Sequence, residues 1–170
     1  PSADRTGRLM TESWKMPDEY ATAQPEPEST SQLDTTEFPA LVLVWCPHEP
    51  WRLGEVLLVA EQGREFVFGR GSEGSDRVYL HRQRPGVTEQ TLPIAAAAIS
   101  RSALSMKRTV VGLMVHRSGQ PKIRVDGEEI DDRKILQDGQ TVEIEGQALF
   151  LCTTRPKTIP KLRFARVEMD

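Results

Sequence analysis

The sequence predicts an all-β protein, a two-sheet antiparallel β-sandwich of about ten to eleven strands with flexible tails. Three observations support this fold class. Between residues 39 and 152, short runs rich in Val, Ile, Leu and Phe alternate with turns containing Gly, Pro, Asp and Ser. No segment in that range has the length and 3.6-residue periodicity of a stable helix. The segments 1–38 and 153–170 are polar and charged, and contain too few apolar residues to build a core.

The first half of the domain is predicted to contain four strands. Pro47 and Pro50 end the first of them, and the Gly-rich loop 69–76 follows the third. Residues 82–93 are polar and include Pro85, so we expect a long loop there. The four predicted strands are 41–45, 55–60, 65–68 and 78–80.

The second half is predicted to contain five further strands. The alanine run 95–98 has a helical composition, but Pro93 and the loop at Ser100 leave no room for a stable helix. Asp126-Gly127 is a favoured two-residue hairpin turn, and Asp138-Gly139 marks a second turn. The five predicted strands are 103–107, 110–115, 123–125, 141–144 and 148–152.

Composition and charge give the expected organisation: an acidic disordered tail at 1–38, a sandwich domain at 39–152 and a basic linker at 153–170. The net charge of −3 is too small for bulk charge to predict a nucleic-acid or membrane partner. No apolar stretch reaches the roughly 18 residues needed to span a bilayer, and no signal peptide opens the chain. We therefore expect a cytoplasmic protein. Because the chain begins with Pro, we expect it to be processed or to be a fragment.

Cysteine and histidine usage argues against an enzyme. Cys46 and Cys152 both lie in apolar runs, which favours buried reduced thiols over the alternatives of a disulfide or a metal site. His48, His81 and His116 have no acid or nucleophile at an interpretable spacing. The sequence therefore predicts no catalytic residues, no metal site and no cofactor.

Two loop motifs predict an anion-binding site. Gly69 and Arg70 follow one hydrophobic strand, and Ser100 and Arg101 follow another hydrophobic run about thirty residues later. Arginine offers a planar fork of hydrogen-bond donors and serine a rotatable hydroxyl, which together suit the oxygens of a phosphate. We expect folding to bring the two loops together at one end of the sandwich.

The neighbouring sequence is locally basic. Arg77, His81, Arg82 and Arg84 lie close together in the chain. One interpretation is that these charges form a solvent-exposed face of the domain. The other is that they contribute to anion binding, in which case the possible supporting residues of the site are Gly69, Ser72, Arg82 and Arg84.

Four landmarks in order resemble the forkhead-associated (FHA) domain, a family of β-sandwiches whose loops read phosphothreonine in a partner protein. The resemblance covers roughly residues 40–152. Its landmarks are Phe68-Gly69-Arg70, Ile99-Ser100-Arg101, the hairpin at 125–130 and the Leu-x-Asp-Gly turn at 136–140.

The residue roles follow from that resemblance. Arg70 and Ser100 would hold phosphate oxygens, and Arg101 would add charge or backbone contacts. Ser118 and Gln120 would contact the bound peptide. Charge-assisted bonds of this kind contribute roughly 1.5–3 kcal/mol each and would favour a phosphate over an unmodified hydroxyl.

Two departures from the family pattern leave a second hypothesis open. Ala103 stands where the family usually has His, and Gln120-Pro121 replaces the Asn-Gly of its Ser-x-Asn-Gly loop. Pro121 stiffens the loop and removes a donor. The first hypothesis is a phosphothreonine-peptide-binding regulatory module. The alternative is a degenerate FHA sandwich for phosphorylation-independent protein interaction or oligomerisation.

A narrower resemblance concerns the longer protein context. Residues 82–86, 149–152 and Arg155-Pro156 are similar to the N-terminal FHA domain of bacterial sigma-54-dependent transcriptional activators of the enhancer-binding, myxobacterial type. There the linker leads into an AAA+ ATPase and a DNA-binding helix-turn-helix, and the 170 residues contain neither pattern. The resemblance implies a sensory module that couples Ser/Thr phosphorylation to transcription. Its partners would be a phosphothreonine protein and, if the chain is a fragment, an AAA+ ATPase domain, with no direct nucleic-acid contact.

The tail offers one candidate partner of its own. Residues 34–38, Asp-Thr-Thr-Glu-Phe, resemble acidic threonine motifs that are phosphorylated in some FHA proteins. Thr36 lies too close to the first strand to reach the domain's own loops. We expect Thr22 or Thr30, or the tail of a neighbouring molecule in trans, to be the phosphorylated ligand.

Overall fold

The computed structural model describes residues 36–72 and 74–161, and these residues fold into twelve β-strands in two antiparallel sheets. The predicted all-β sandwich is confirmed. The only helix in the described ranges is a single 3-10 turn at Pro50–Arg52. The strands are β1 (Glu37–Trp45), β2 (Val56–Leu58), β3 (Glu65–Phe68), β4 (Leu80–Arg84), β5 (Val87–Gln90), β6 (Leu104–Thr109), β7 (Gly112–Arg117), β8 (Ile123–Val125), β9 (Glu128–Glu129), β10 (Lys134–Leu136), β11 (Thr141–Ile144) and β12 (Ala148–Pro156).

The two sheets differ in size. The larger sheet has the strand order β5-β4-β2-β1-β12-β11-β8-β9, and the smaller has the order β10-β7-β6-β3. The long strands β1 and β12 pair along almost their whole length at the centre of the larger sheet. In the smaller sheet β6 pairs with β7 on one side and with β3 on the other.

The core lies between the sheets. Phe68 of β3 and Phe150 of β12 meet edge to face, with ring centroids 5.2 Å apart and an interplanar angle of 84°. Both rings are buried, and burying each contributes on the order of 2–3 kcal/mol. Because Phe68 is the last residue of β3, the core anchors the start of the Gly69-Arg70 loop.

Two local predictions are confirmed. Asp126 and Gly127 both have positive φ, 52° and 84°, as the predicted two-residue hairpin between β8 and β9 requires. Cys46 and Cys152 are both buried and free. Burial raises the pKa of the Cys152 thiol to about 11, and the nearby Asp138 charge adds to the shift.

The expected long loop at 82–93 is wrong. Strands β4 and β5 form a hairpin there, with Arg84 paired to Val87 and Gly86 at the turn with φ +81°. Along β4 the side chains alternate between half-buried and exposed from His81 to Arg84. The strand was missed because its partly covered face carries polar residues, so its alternation does not appear in a hydrophobicity pattern.

Other elements also differ from expectation. The strand expected at 110–115 begins at Gly112, and Val110 and Val111 form the exposed β6–β7 turn. Strand β9 is the return strand of the predicted hairpin, whereas β10 lies between that hairpin and the turn at 138–139, where no strand was predicted.

The domain boundaries also extend further than expected. Strand β1 begins at Glu37, inside the expected tail, while residues 1–35, including Thr22 and Thr30, lie outside the described residues. At the other end β12 continues to Pro156, and residues 157–161 lie against the β4–β5 hairpin. The N–H of Gly86 donates to the carbonyl of Ile159 at 2.7 Å. The interpretation of 153–170 as an unpacked linker is therefore wrong for 153–161, because sheet pairing and hairpin contacts hold that part.

Candidate anion-binding site

Two of the predicted site loops lie backbone to backbone. The N–H of Arg70 donates to the carbonyl of Ser100 at 2.8 Å. A Cβ at Gly69 would lie 2.2 Å from the carbonyl oxygen of Arg101 and 2.6 Å from that of Ser100. Only glycine permits this approach, so Gly69 sets the distance between the β3 loop and the loop that precedes β6.

A third loop, which follows β7, packs on the other side of Ser100. A Cβ at Gly119 would lie 2.0 Å from the carbonyl oxygen of Ser102 and 3.3 Å from the Ser100 hydroxyl. The N–H of Ser118 donates to the carbonyl of Ala103 at 3.4 Å. Segments 69–72, 99–103 and 118–120 thus form one cluster of loops at one end of the smaller sheet.

An open cleft of about 390 Å³ lies beside this cluster. Three arginines line it, two from the β3–β4 connection and one from the loop that precedes β6, and no acidic residue of the described ranges lines it. The lining residues are Arg70, Gly71, Ser72, Arg77, Pro93, Ile94, Ala95 and Arg101. Three guanidinium groups around one opening give the cleft a positive local field in a protein whose net charge is −3.

Arg70 carries an unused donor. Its side chain is half-buried, and its Nε atom is inaccessible to solvent and has no hydrogen-bond partner within the described residues. An N–H that is buried without a partner costs roughly 1–3 kcal/mol. An anion that accepted a hydrogen bond from this atom would recover that cost.

Arg77 was not among the predicted site residues. It forms an isolated parallel bridge with Val67, whose other side pairs with Ser105 in β6. The Arg77 segment and the Arg101 segment therefore flank β3 from opposite sides. The sequence placed it only in the locally basic region that begins at Arg77, and its bridge to Val67 brings it to the cleft in a way that the chain order does not reveal.

Ser100 is oriented differently from its expected role. It does not line the cleft, and its hydroxyl donates to the carbonyl of Ser102 at 3.0 Å. Its N–H donates to the Gln147 side chain at 2.9 Å. A serine hydroxyl has a single hydrogen to donate, so Ser100 contacts a phosphate as a donor only after its side chain rotates away from Ser102.

Ser118 and Gln120 belong to the same cluster of loops, but neither lines the cleft. Ser118 is half-buried and Gln120 is exposed. Ser72 does line the cleft, and its carbonyl accepts a hydrogen bond from the Tyr79 hydroxyl at 3.2 Å.

Arg82 and Arg84, which the sequence proposed as supporting residues, lie away from the cleft. Both lie on β4 in the larger sheet, and neither lines the cleft. The guanidinium of Arg82 instead donates to the buried Glu55 carboxylate at 2.8 Å. Arg82 thereby gives Glu55 a second positive partner beside Arg52, whose Nε donates to the same carboxylate at 2.8 Å.

Within the described ranges, no group of three or more His, Cys, Asp or Glu side chains is arranged to hold a metal ion. Across the same ranges, no helix is long and apolar enough to cross a membrane.

No protein-family profile matches the sequence, and no curated protein matches it at a significant level. Among solved structures, the chain is similar to the crystal structure of the FHA domain of the CT664 protein from Chlamydia trachomatis. The two chains are 18% identical and superpose with a TM-score of 0.45 over 69% of this chain and 97% of that chain.

Proposed function

We propose that this protein is a non-enzymatic regulatory module that binds a phosphothreonine-containing segment of a partner protein in the cleft at Arg70. The observation that carries this proposal is the convergence of three arginines on an opening that no carboxylate of the described residues lines, with the Arg70 Nε buried and without a hydrogen-bond partner among those residues. The four FHA-like landmarks of the sequence support the same ligand class.

Charge explains why a phosphorylated ligand is favoured. A phosphothreonine carries up to two negative charges and three strong acceptor oxygens at neutral pH. Arg70, Arg77 and Arg101 supply three positive groups, and a guanidinium matches phosphate geometry with paired N–H donors. An unmodified threonine offers neither the charge nor the acceptors, so phosphorylation acts as the switch for binding.

The test is fluorescence anisotropy with a library of labelled phosphothreonine peptides and their unphosphorylated counterparts. We expect binding of phosphorylated peptides only, with affinity that falls as salt is added. Arg70→Gln should weaken binding by roughly 10- to 100-fold, since it removes a charge-assisted contact.

Arg108→Gln is the matched control. Arg108 pairs with Leu113 close to the β6–β7 turn, and the Arg108 guanidinium donates to the Ala60 carbonyl. The candidate site adjoins the other end of β6, so Arg108→Gln should leave the peptide affinity unchanged. Equal affinity in the parent and in Arg70→Gln would remove the proposal.

A second candidate function is a degenerate FHA sandwich that contacts proteins without phosphate. Its support is the Ser100 hydroxyl, which is already engaged with Ser102, together with Ala103 and Pro121 in place of the usual family residues. Sedimentation analysis that finds self-association unchanged by phosphatase treatment would favour it. Phosphate-dependent peptide binding would exclude it.

The wider setting belongs to the same proposal. The narrower sequence resemblance supports a cytoplasmic sensory module of a bacterial sigma-54-dependent transcriptional activator, in which a phosphothreonine partner regulates an AAA+ ATPase domain. The phosphorylated tail of a second copy remains a candidate ligand. Mass spectrometry after treatment with a Ser/Thr kinase tests the tail directly, because a tail without phosphate would discard that ligand.

A further inference from the structure

Three charged residues at the 3-10 turn are almost completely buried. Glu49, Arg52 and Glu55 retain 5%, 4% and 2% of their accessible surface. Buried charges are costly unless each is paired and hydrogen-bonded, so a buried cluster of this kind requires a complete set of partners.

Arg52 lies at the centre of this cluster. Its Nε donates to Glu55 at 2.8 Å, and its Nη1 donates to Glu49 at 3.1 Å. Its Nη2 donates to the Thr91 hydroxyl at 2.6 Å and also to the carbonyl of Leu92. Arg52 thereby ties the segment that follows β5 to the 3-10 turn.

Glu49 extends the same connection to the next residues. Its Oε1 accepts hydrogen bonds from the backbone N–H groups of Ala95 and Ala96, both at 2.8 Å. Burial would raise the pKa of the Glu49 carboxyl, but these two N–H groups and the Arg52 guanidinium outweigh it and hold the pKa below its usual value. Glu49 is therefore ionised at neutral pH and bound on both oxygens.

The segment held in this way forms one wall of the cleft. Pro93, Ile94 and Ala95 line the opening opposite the arginine loops, and the carbonyl of Ile94 accepts a hydrogen bond from the N–H of Gly71 at 2.9 Å. A shift of the wall is therefore transmitted to the loop that carries Arg70.

We propose that Glu49 and Arg52 are positioning residues of the anion site, which hold the 93–96 wall and thereby set the geometry of the Arg70 loop. This inference rests on the proposed anion-binding function. Neither side chain lines the cleft. Their effect on affinity comes from keeping the guanidinium donors at one spacing before the ligand arrives.

The experiment compares Glu49→Ala, Glu49→Gln and the core control Val142→Ala, whose side chain is buried in β11. Urea unfolding gives the stability of each variant. Anisotropy gives its affinity for the best phosphothreonine peptide, and inorganic phosphate serves as a second probe. Amide hydrogen exchange at Gly71 reports the position of the wall.

Glu49→Ala should weaken peptide binding by roughly tenfold or more, because it releases the wall. Glu49→Gln keeps a carbonyl acceptor for Ala95 and Ala96, so it should restore most of the affinity although it also lowers stability. Val142→Ala should lose stability with an affinity within about twofold of the parent. Gly71 exchange should accelerate in Glu49→Ala and not in Val142→Ala.

An affinity in Glu49→Ala equal to that of the Val142→Ala control would overturn the inference, as would unchanged Gly71 exchange. If Glu49→Ala does not fold, Arg52→Lys provides the same comparison, because a lysine cannot keep all the contacts of Arg52 to Glu49, Thr91 and Leu92. If the parent binds no phosphopeptide and no phosphate, the proposed function fails. The Gly71 exchange measurement still decides whether Glu49 positions the loop.

Discussion

Substitution of Gly69 by alanine should damage both the fold and the anion site. The new Cβ would lie 2.2 Å from the Arg101 carbonyl oxygen, whereas ordinary contacts begin at 3.4 Å, so the two loops would have to separate by about 1.2 Å. The hydrogen bond between Arg70 and Ser100, now 2.8 Å, would then stretch to roughly 4 Å and be lost.

The expected cost follows from these two effects. Overpacking against backbone atoms costs roughly 2 kcal/mol, and the lost hydrogen bond roughly 1 kcal/mol more. We therefore expect Gly69→Ala to lower the free energy of unfolding by about 3 kcal/mol, which for a domain of this size lowers Tm by roughly 12 °C. Phosphopeptide affinity should fall as well, because Arg70 moves with the loop.

Gly71→Ala is the matched control, two residues away. Gly71 has φ +84° and open space where a Cβ would be, so its substitution costs only backbone strain of about 1 kcal/mol. Urea unfolding and calorimetry measure both variants. A Gly69→Ala variant as stable as Gly71→Ala would refute the close packing of the two loops.

Three further predictions concern other parts of the domain. With a pKa of about 11, Cys152 should react with iodoacetamide at pH 8 at least about a hundredfold more slowly in the folded protein than in urea, and equal rates would contradict its burial. A hydrogen bond with His116 lowers the pKa of Glu65, so ionised Glu65 stabilises the fold above its unfolded-state pKa and this contribution disappears as pH falls through the folded-state pKa. Glu65→Gln should therefore flatten the dependence of unfolding free energy on pH as pH falls through and below the ordinary pKa of a glutamate, and an unchanged slope would disprove the contribution. Deletion of 157–170 should lower Tm more than deletion of only 162–170, because only the longer deletion removes the hairpin contacts of residues 157–159; equal effects would contradict the attachment.

Much of the fold is encoded in local patterns that can be read along the chain. Apolar runs such as 41–45 and 148–152 predict strands because they must be covered on at least one face. The Asp126-Gly127 pair predicts its hairpin because both turn positions need positive φ. The β4–β5 hairpin lacks such an apolar run, because it presents polar residues on both faces, and the sequence therefore did not predict its strands.

The candidate site was predictable only in part. The Gly69-Arg70 and Ser100-Arg101 motifs indicated two loops that suit an anion, and the backbones of these loops are in contact. The direction of the Ser100 hydroxyl depends on its neighbour Ser102, and the contribution of Arg77 depends on its bridge to Val67. Neither contact has a signature in residue type or spacing.

The amino-acid sequence by itself determined the all-β class, most strand positions and the residue types suited to an anion, because these follow from side-chain size, polarity and turn preference over a few residues. Only the tertiary structure decided which charges meet at the cleft. Arg82 is paired with a buried carboxylate, while Arg77 joins Arg70 and Arg101 at the cleft. The physical reason is that electrostatic environment depends on distances between residues far apart in the chain, and those distances exist only once the two sheets have packed.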